Sequence, residues 1–213
     1  MSLRRLLGIY RTAGRANIEA GRRWYQDAFQ ECLDIAESYG EPVEVVAALV
    51  AILSPNNQWN QNLDDACTVI EYYHYSGVDD ASECKLSTYT RNRDKAFSVL
   101  WEISDGVEPK VAAEHYARGP KVSAFLRAIL GDRDALVLDS HCINAWYGRR
   151  IEGSNLSGAA TADRRKCIED YTHGASVAGE SVASFQAIIW IRHLERIAAG
   201  RIPGYSRLAK QGG

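Results

Sequence analysis

Several things are scarce in this chain of 213 residues, and each absence removes a class of protein. The cysteines (Cys32, Cys67, Cys84, Cys142, Cys167) form no Cys-x-x-Cys pair and are odd in number. That argues against a disulfide framework and predicts reduced, mostly buried thiols in a cytoplasmic protein. Neither the cysteines nor the histidines show metal-ligand spacing, so no metal is expected. Long hydrophobic runs are missing too. The longest, Val43 to Leu53, is interrupted by Glu44 and is too short to span a bilayer, and the apolar stretch after Arg4 and Arg5 is too short for a signal peptide. A soluble protein with no membrane partner is the expectation. There is no excess of one charge: 25 Lys and Arg stand against 27 Asp and Glu, a formal balance of −2. Bulk electrostatics therefore does not announce a nucleic-acid binder, and any such contact needs a local basic face. No strand pattern is longer than Ala135–Leu138, and there is no repeat or low-complexity tract.

What is present is helical. A hydrophobic share of 46% and a charged share of 24% are globular values, and the length suits one domain or two lobes sharing a chain. The periodicity assigns no element before residue 16. Residues 16–39 read as a long amphipathic helix carrying Trp24, Ala28, Phe29, Cys32, Ile35 and Ala36, with Gly40 as its stop. Pro42 opens a second helix, Val43–Leu53, apolar enough to be central. Ser54-Pro55-Asn56-Asn57 ends it and caps a helix from about Gln58 to Tyr75, and Ser76 to Thr88 is a polar loop. Asp94 is read as the cap of a helix through Ile103, and Pro109 as the start of another through about Tyr116. Gly153 to Gly158 is a loop, helices follow at about 161–173 and 181–199, and the tail from Gly200 is expected to fray. The fold class is all-α.

The central stretch runs from Arg118 to His141. Gly119 and Pro120 stand where a helix begins, with Pro at the first helical position, where its missing N–H costs nothing. Val122, Phe125, Leu126, Ile129 and Leu130 follow at helical spacing, and Gly131 is a good stop. Ala135 to Leu138 then leads into Asp139, a good N-cap for a helix carrying Ile143, Trp146 and Tyr147. Lys121 and Asp139 thus each sit at the start of a helix. A first-turn lysine feels the positive end of the helix dipole, which favours a neutral, nucleophilic amine, while a carboxylate there has its charge favoured and could face a developing cation. Each also has a plain reading, Lys121 as a solvated first-turn residue and Asp139 as a cap.

Gly119-Pro-Lys121-Val, an apolar helix, Gly131-Asp132 and then Asp139-Ser-His141 together resemble the end of the helix-hairpin-helix DNA glycosylase motif. The resemblance implies that Lys121 stands where that superfamily, when it has a lysine, forms a Schiff base with the sugar, and that Asp139 stands at its essential carboxylate. The hairpin itself departs from the family's Leu-Pro-Gly-Val-Gly form, reading Tyr116-Ala-Arg118-Gly119-Pro120-Lys121 with one glycine. Val46 to Ser54 with its polar turn and Asn62 is similar to the family's early helix–turn–helix, and Asn92-Arg93-Asp-Lys95-Ala96 resembles its Asn-x-x-Lys-Ala helix start. These matches cover about residues 43–150. The resemblance implies a helix-hairpin-helix glycosylase-like fold of two helical lobes, a central one at about 42–135 and a second from about 1–41 plus 136–213, with a cleft between them for a flipped base. It also implies no iron–sulfur cluster, because the family's C-terminal cysteine quartet is missing after Cys167. A narrower likeness is to phage-type members, the group of alpha-glutamyl/putrescinyl thymine pyrophosphorylase-like proteins and amino acid:DNA transferases. It rests on Leu53-Ser-Pro-Asn-Asn-Gln-Trp59-Asn-Gln-Asn62, on Gly119-Pro-Lys-Val with Gly131-Asp132, and on Phe185-Gln186-Ala-Ile-Ile-Trp190. Ser140 departs from that group's usual Asp-Arg-His.

The candidate residues follow. Asp139 would stabilise an oxocarbenium-like sugar or activate the nucleophile, as an enzyme acting on an extruded base requires. Lys121 would be the Schiff-base nucleophile or a phosphate contact. His141 would donate to a phosphate or the base, or be a partly buried structural residue. Asn56, Asn57 and Gln58 offer amides for base edges, with Asn62 beyond them, and Trp59 offers a stacking face, or is simply a core residue after a capping turn. Gln186 and Trp190, four apart on one helix, could line one pocket, Trp190 reading more as core. Arg91, Arg93, Lys95, Arg118 and Arg127 are candidate phosphate contacts, with Asn92, Gly119 and Pro120 beside them. Three functions fit: a DNA glycosylase acting on a modified or damaged base, a phage thymine-hypermodification transferase using an amine or amino-acid co-substrate, and a non-catalytic DNA-binding module. No cofactor is expected, and DNA is the expected partner.

Overall fold

A computed structural model describes residues 2–75, 81–151, 161–203 and 205, with the side chains of 161 and 162 excepted. The expected loop at 153–158 and part of the one at 76–88 lie outside these residues. Among the described residues the protein is all-α: ten helices, one 3-10 turn at Ala81–Glu83 and no strand. They are α1 (Ser2–Arg11), α2 (Arg15–Tyr39), α3 (Val43–Leu53), α4 (Trp59–Tyr75), α5 (Thr90–Ser104), α6 (Pro109–Tyr116), α7 (Pro120–Ile129), α8 (Ser140–Tyr147), α9 (Thr161–Ala178) and α10 (Val182–Ala198). The chain divides into two compact units, Gln26–Gly131 and Met1–Tyr25 with Asp132–Gly213.

The unit Gln26–Gly131 is built around α3. Pro42 precedes the helix in extended backbone, φ −63° and ψ 140°, so its ring sets the entry without a lost hydrogen bond. Every residue from Val45 to Leu53 is buried, as an apolar helix without a polar stripe requires. Helices α4, α5, α6 and α7 all pack on it. Ala124, Phe125, Leu126, Ala128 and Ile129 are the buried residues that α7 turns inward. Helix α5 begins at Thr90, four residues before the expected cap. Tyr89 is its N-cap, and Asp94 lies inside the helix, paired with Arg93 at 2.8 Å. The first turn, Thr90-Arg-Asn-Arg, has no apolar residue to betray it.

The other unit has its own core of Leu6, Ile9, Leu138, Cys142, Ile143, Trp146, Tyr171, Phe185 and Ile189. Helix α1, which the sequence pattern leaves unassigned, belongs to this core through Leu6 and Ile9 and packs on α8, α9 and α10. Helix α9 runs through Gly174 to Ala178, beyond the expected end near 173, and stops before Gly179 at φ 69°. Gly174 is there for space: a Cβ would lie 2.8 Å from the Phe185 ring.

Gly21 makes the same kind of contact against α10. A Cβ at that position would meet Ile188 Cγ1 at 2.4 Å, its N at 2.7 Å and its Cα at 2.8 Å. Backbone cannot swing aside as a side-chain tip can. Gly21→Ala is therefore expected to cost about 1–3 kcal/mol by overpacking, even though alanine is the better helix former by about 1 kcal/mol. Urea unfolding checks this, and an unchanged or raised midpoint would show that the two helices separate freely.

Candidate active site

In the unit Gln26–Gly131, Lys121 is the second residue of α7. Gly119 takes φ 104°, which a glycine adopts without strain, and Pro120 opens the helix. Lys121 is half-buried, and its Nζ donates to Ser54 Oγ at 3.4 Å. Ser54 is the buried C-cap of α3, and its hydroxyl donates to Ala51 O at 2.9 Å. The ammonium thus meets the carbonyl end of one helix from the amide end of another.

The polar turn after Ser54 divides between internal and surface work. Asn57 donates to Asp65 at 2.8 Å, and Asp65 also accepts from Gln61 and from the Ser87 amide at 3.1 Å. Asn62 is buried and donates to Val50 O at 2.9 Å, fastening α4 to α3. Asn56, at φ 60°, donates to the Tyr89 hydroxyl and is exposed, as is Gln58. Trp59 is half-buried, donates from Nε1 to Glu31 at 2.6 Å and lies 6.3 Å from the Phe125 ring, so its indole is part of the packing. Asn92 is also buried, bonded to Thr88 Oγ1 at 3.2 Å. Arg93 binds the carbonyls of Ser82 and Cys84 and the Asp94 carboxylate. Arg93, Asn62 and Asn92 are thereby committed to the fold in this conformation. Arg91, Arg118, Gly119, Pro120 and Arg127 are exposed, and Lys95 is half-buried.

In the other unit, Asp139 is the N-cap of α8 and accepts from the Cys142 amide at 2.7 Å. The carboxylate is half-buried and sits at the positive end of the helix. Below it a buried chain of hydrogen bonds runs between helices. Tyr25 donates to Gln186 Oε1 at 2.6 Å, and Gln186 Nε2 donates to Cys142 Sγ at 3.1 Å. Burial, reinforced by the Asp139 charge, pushes both the Cys142 thiol and the Tyr25 phenol well above their ordinary values. Both stay protonated, so Cys142 is no nucleophile at neutral pH. Gln186 is buried, and it spends its amide on Tyr25 and Cys142. Trp190 is half-buried, packs on Trp24 at 5.0 Å and lies against the core.

Beside Asp139 the pattern changes, and polar atoms stand unpaired. His141 Nδ1 is buried with no partner. His193 of α10 is fully buried, 6.1 Å from the His141 ring, and neither of its ring nitrogens has a partner. Burial first, then His141 and Arg196, pulls the His193 pKa down to about 4, with Asp139 opposing. The Tyr205 ring lies nearly parallel to His141 at 6.4 Å, and its hydroxyl accepts from Asn144 at 2.7 Å. Sequence reasoning missed His193, Asn144 and Tyr205. His193 had a signal: it lies two helical turns past Gln186, hence on the same face of α10. Tyr205 had none.

A half-buried carboxylate at a helix start, flanked by a neutral imidazole and orphaned ring nitrogens, can oppose positive charge and exchange protons with something bound there. Among the described residues no group of His, Cys, Asp and Glu could hold a metal ion. The profile of DUF7178, a family of unknown function, matches residues 2–197. The chain belongs to this family. The DUF7178 match takes in Lys121, Asp139, His141, Gln186 and His193 and stops short of Tyr205. No curated protein and no solved structure matches the chain.

Proposed function

We propose that this DUF7178 member is a DNA-base-acting enzyme with a helix-hairpin-helix glycosylase-like arrangement of helices, cleaving the N-glycosidic bond of a modified or damaged base extruded from DNA. The observation that carries the reading is Asp139: a half-buried carboxylate at the start of α8, with unpaired nitrogens of His141 and His193 beside it. As the C1′–N bond breaks, its electron pair leaves with the base and the sugar gains oxocarbenium character. A carboxylate already fixed by the Cys142 amide opposes that charge without reorganising. His141 supplies a donor for the departing base or a phosphate oxygen. The N–H groups at the start of α7 and the Lys121 amine support phosphate contact, or attack of Nζ on C1′ with loss of the base.

Borohydride trapping on abasic-site DNA separates these roles of Lys121. At the abasic site the sugar opens to its C1′ aldehyde, neutral Nζ adds there and water leaves to give an imine, which hydride reduces to a stable amine. The wild type is expected to form an adduct that Lys121→Ala loses entirely while keeping its melting temperature. No adduct with the wild type sinks the lysine-nucleophile role and leaves hydrolysis by water. Nucleoside mass spectrometry of treated DNA then reads the chemistry: free base or an abasic site for glycosidic cleavage, and a new nucleoside for the hypermodification transferase. Neither product, with DNA still bound, leaves a binding module.

A further inference from the structure

A second concave site lies within the unit Met1–Tyr25 with Asp132–Gly213. It is a cavity of about 390 Å³ bounded by Arg5, Gly8, Ile9 and Thr12 of α1, by Arg192 and Arg196 of α10, and by Arg201. Four of its seven lining residues are arginines and none is acidic. Guanidinium groups repel one another and converge only when packing forces them to or a ligand rewards them.

Three details argue that the cluster is held for an anion. Arg5 is locked in place: Nη1 donates to Trp146 O at 2.6 Å, and the side chain crosses Gly148, where a Cβ would lie 2.5 Å from Nε. Gly148 takes φ 76° at the C-cap of α8, so one glycine both ends the helix and clears the arginine's path. Arg192 is held by Glu195 at 2.7 Å, and Glu195 is itself fixed by Asn17 at 2.7 Å, yet the Arg192 Nε is buried with no partner. Arg196 and Arg201 are joined by the hydrogen bond from the Arg201 amide to Arg196 O at 2.8 Å, which closes the end of α10. The Arg196 guanidinium is held below its ordinary range by burial and then by Arg192, Arg201 and Arg5, so the cavity is under-neutralised. Glu195 offsets Arg192, and complementing the C-terminal dipole of α10 accounts for about half a charge more, so the cluster stays net positive.

We propose that this arginine-lined cavity binds a phosphate-bearing anion with two or more negative charges. Planar guanidinium forks match phosphate oxygens, and a cavity of this volume takes a diphosphate-sized group. The same chemistry comes from two sources, a free diphosphate or the backbone of a nucleic acid, and the proposal does not rest on the base-release reading above.

The test titrates inorganic pyrophosphate, and separately a fluorescent oligonucleotide, into the full chain and into Arg192→Gln, Arg196→Gln and the double variant. Pyrophosphate at about 100-fold over its Kd is expected to raise the wild-type Tm by ~5 °C or more. The double variant is expected to weaken binding by at least tenfold. Without anion, Arg196→Gln is expected to keep or slightly raise Tm in chloride buffer, because it relieves repulsion. Pyrophosphate binding lost in the variants supports the site with a free anion. Oligonucleotide binding that weakens and loses part of its salt dependence in the variants, without competition from pyrophosphate, supports it with a polymer backbone. Folded variants that bind both probes like the wild type, or a wild type that binds neither, overturn it. A variant Tm that falls without anion, with no anion effect on the wild type, assigns the arginines to the fold alone.

Discussion

Asp139→Asn is expected to lower base release by a factor of about 10²–10³ while leaving Tm nearly unchanged. Asparagine caps a helix as well as aspartate, so the hydrogen bond from the Cys142 amide survives and only the charge is lost. Asp139→Ala removes charge and cap together and adds a stability loss of about 1 kcal/mol. Single-turnover assays on DNA carrying the scissile base, run beside thermal melts, separate the two effects. If Asp139→Asn keeps full activity in every product assay, Asp139 is a cap and nothing more, and the proposed role of its charge fails. The buried thiol beneath provides an internal control. Cys142 is held protonated by burial and by the Asp139 charge, so alkylating reagents are expected to spare it in the native wild type.

His193 should make the protein acid-labile. Its native pKa is about 4, against about 6.5 for an unhindered imidazole. Between those values the unfolded chain binds a proton that the native state refuses, so stability falls as pH drops from about 6.5 to about 4 and levels off below. The whole shift corresponds to roughly 3 kcal/mol, a large share of the stability of an ordinary domain. The groups that set it are the buried position itself, the His141 ring and the Arg196 guanidinium, with Asp139 acting in the opposite sense. His193→Leu removes the proton site and two orphaned nitrogens at once. It is expected to flatten the acid limb and to match or exceed the wild type at pH 7. Urea midpoints at pH 7, 6, 5 and 4.5 check this. Parallel losses in wild type and His193→Leu would place the acid sensitivity elsewhere.

The two predictions rest on residues that differ in how far the sequence reveals them. Asp139 was legible because a cap is a local event: a short polar side chain before an apolar helix satisfies an amide three residues on. The same holds for Gly119-Pro120 at the start of α7, for Pro109 at α6, and for the all-α class, each set by neighbours within a turn or two. Where local signals thin out, the reading slips. The first turn of α5 is polar throughout, and α1 shows its purpose only when Leu6 and Ile9 meet a core assembled from α8, α9 and α10.

By itself, then, the sequence determined the all-α class and most helix starts with the residue types that stand there, since spacing and capping are energies of short range. Tertiary structure alone decided which polar side chains are spent inside the protein. Gln186 is taken by Tyr25 and Cys142, Asn62 by the end of α3, and Arg93 by the carbonyls around Ser82. It also decided that Gly21 and Gly174 serve close helix contacts, and that Arg5, Arg192, Arg196 and Arg201 line one cavity. Those outcomes depend on partners far away along the chain, and a partner's identity is fixed by packing, which no local pattern encodes.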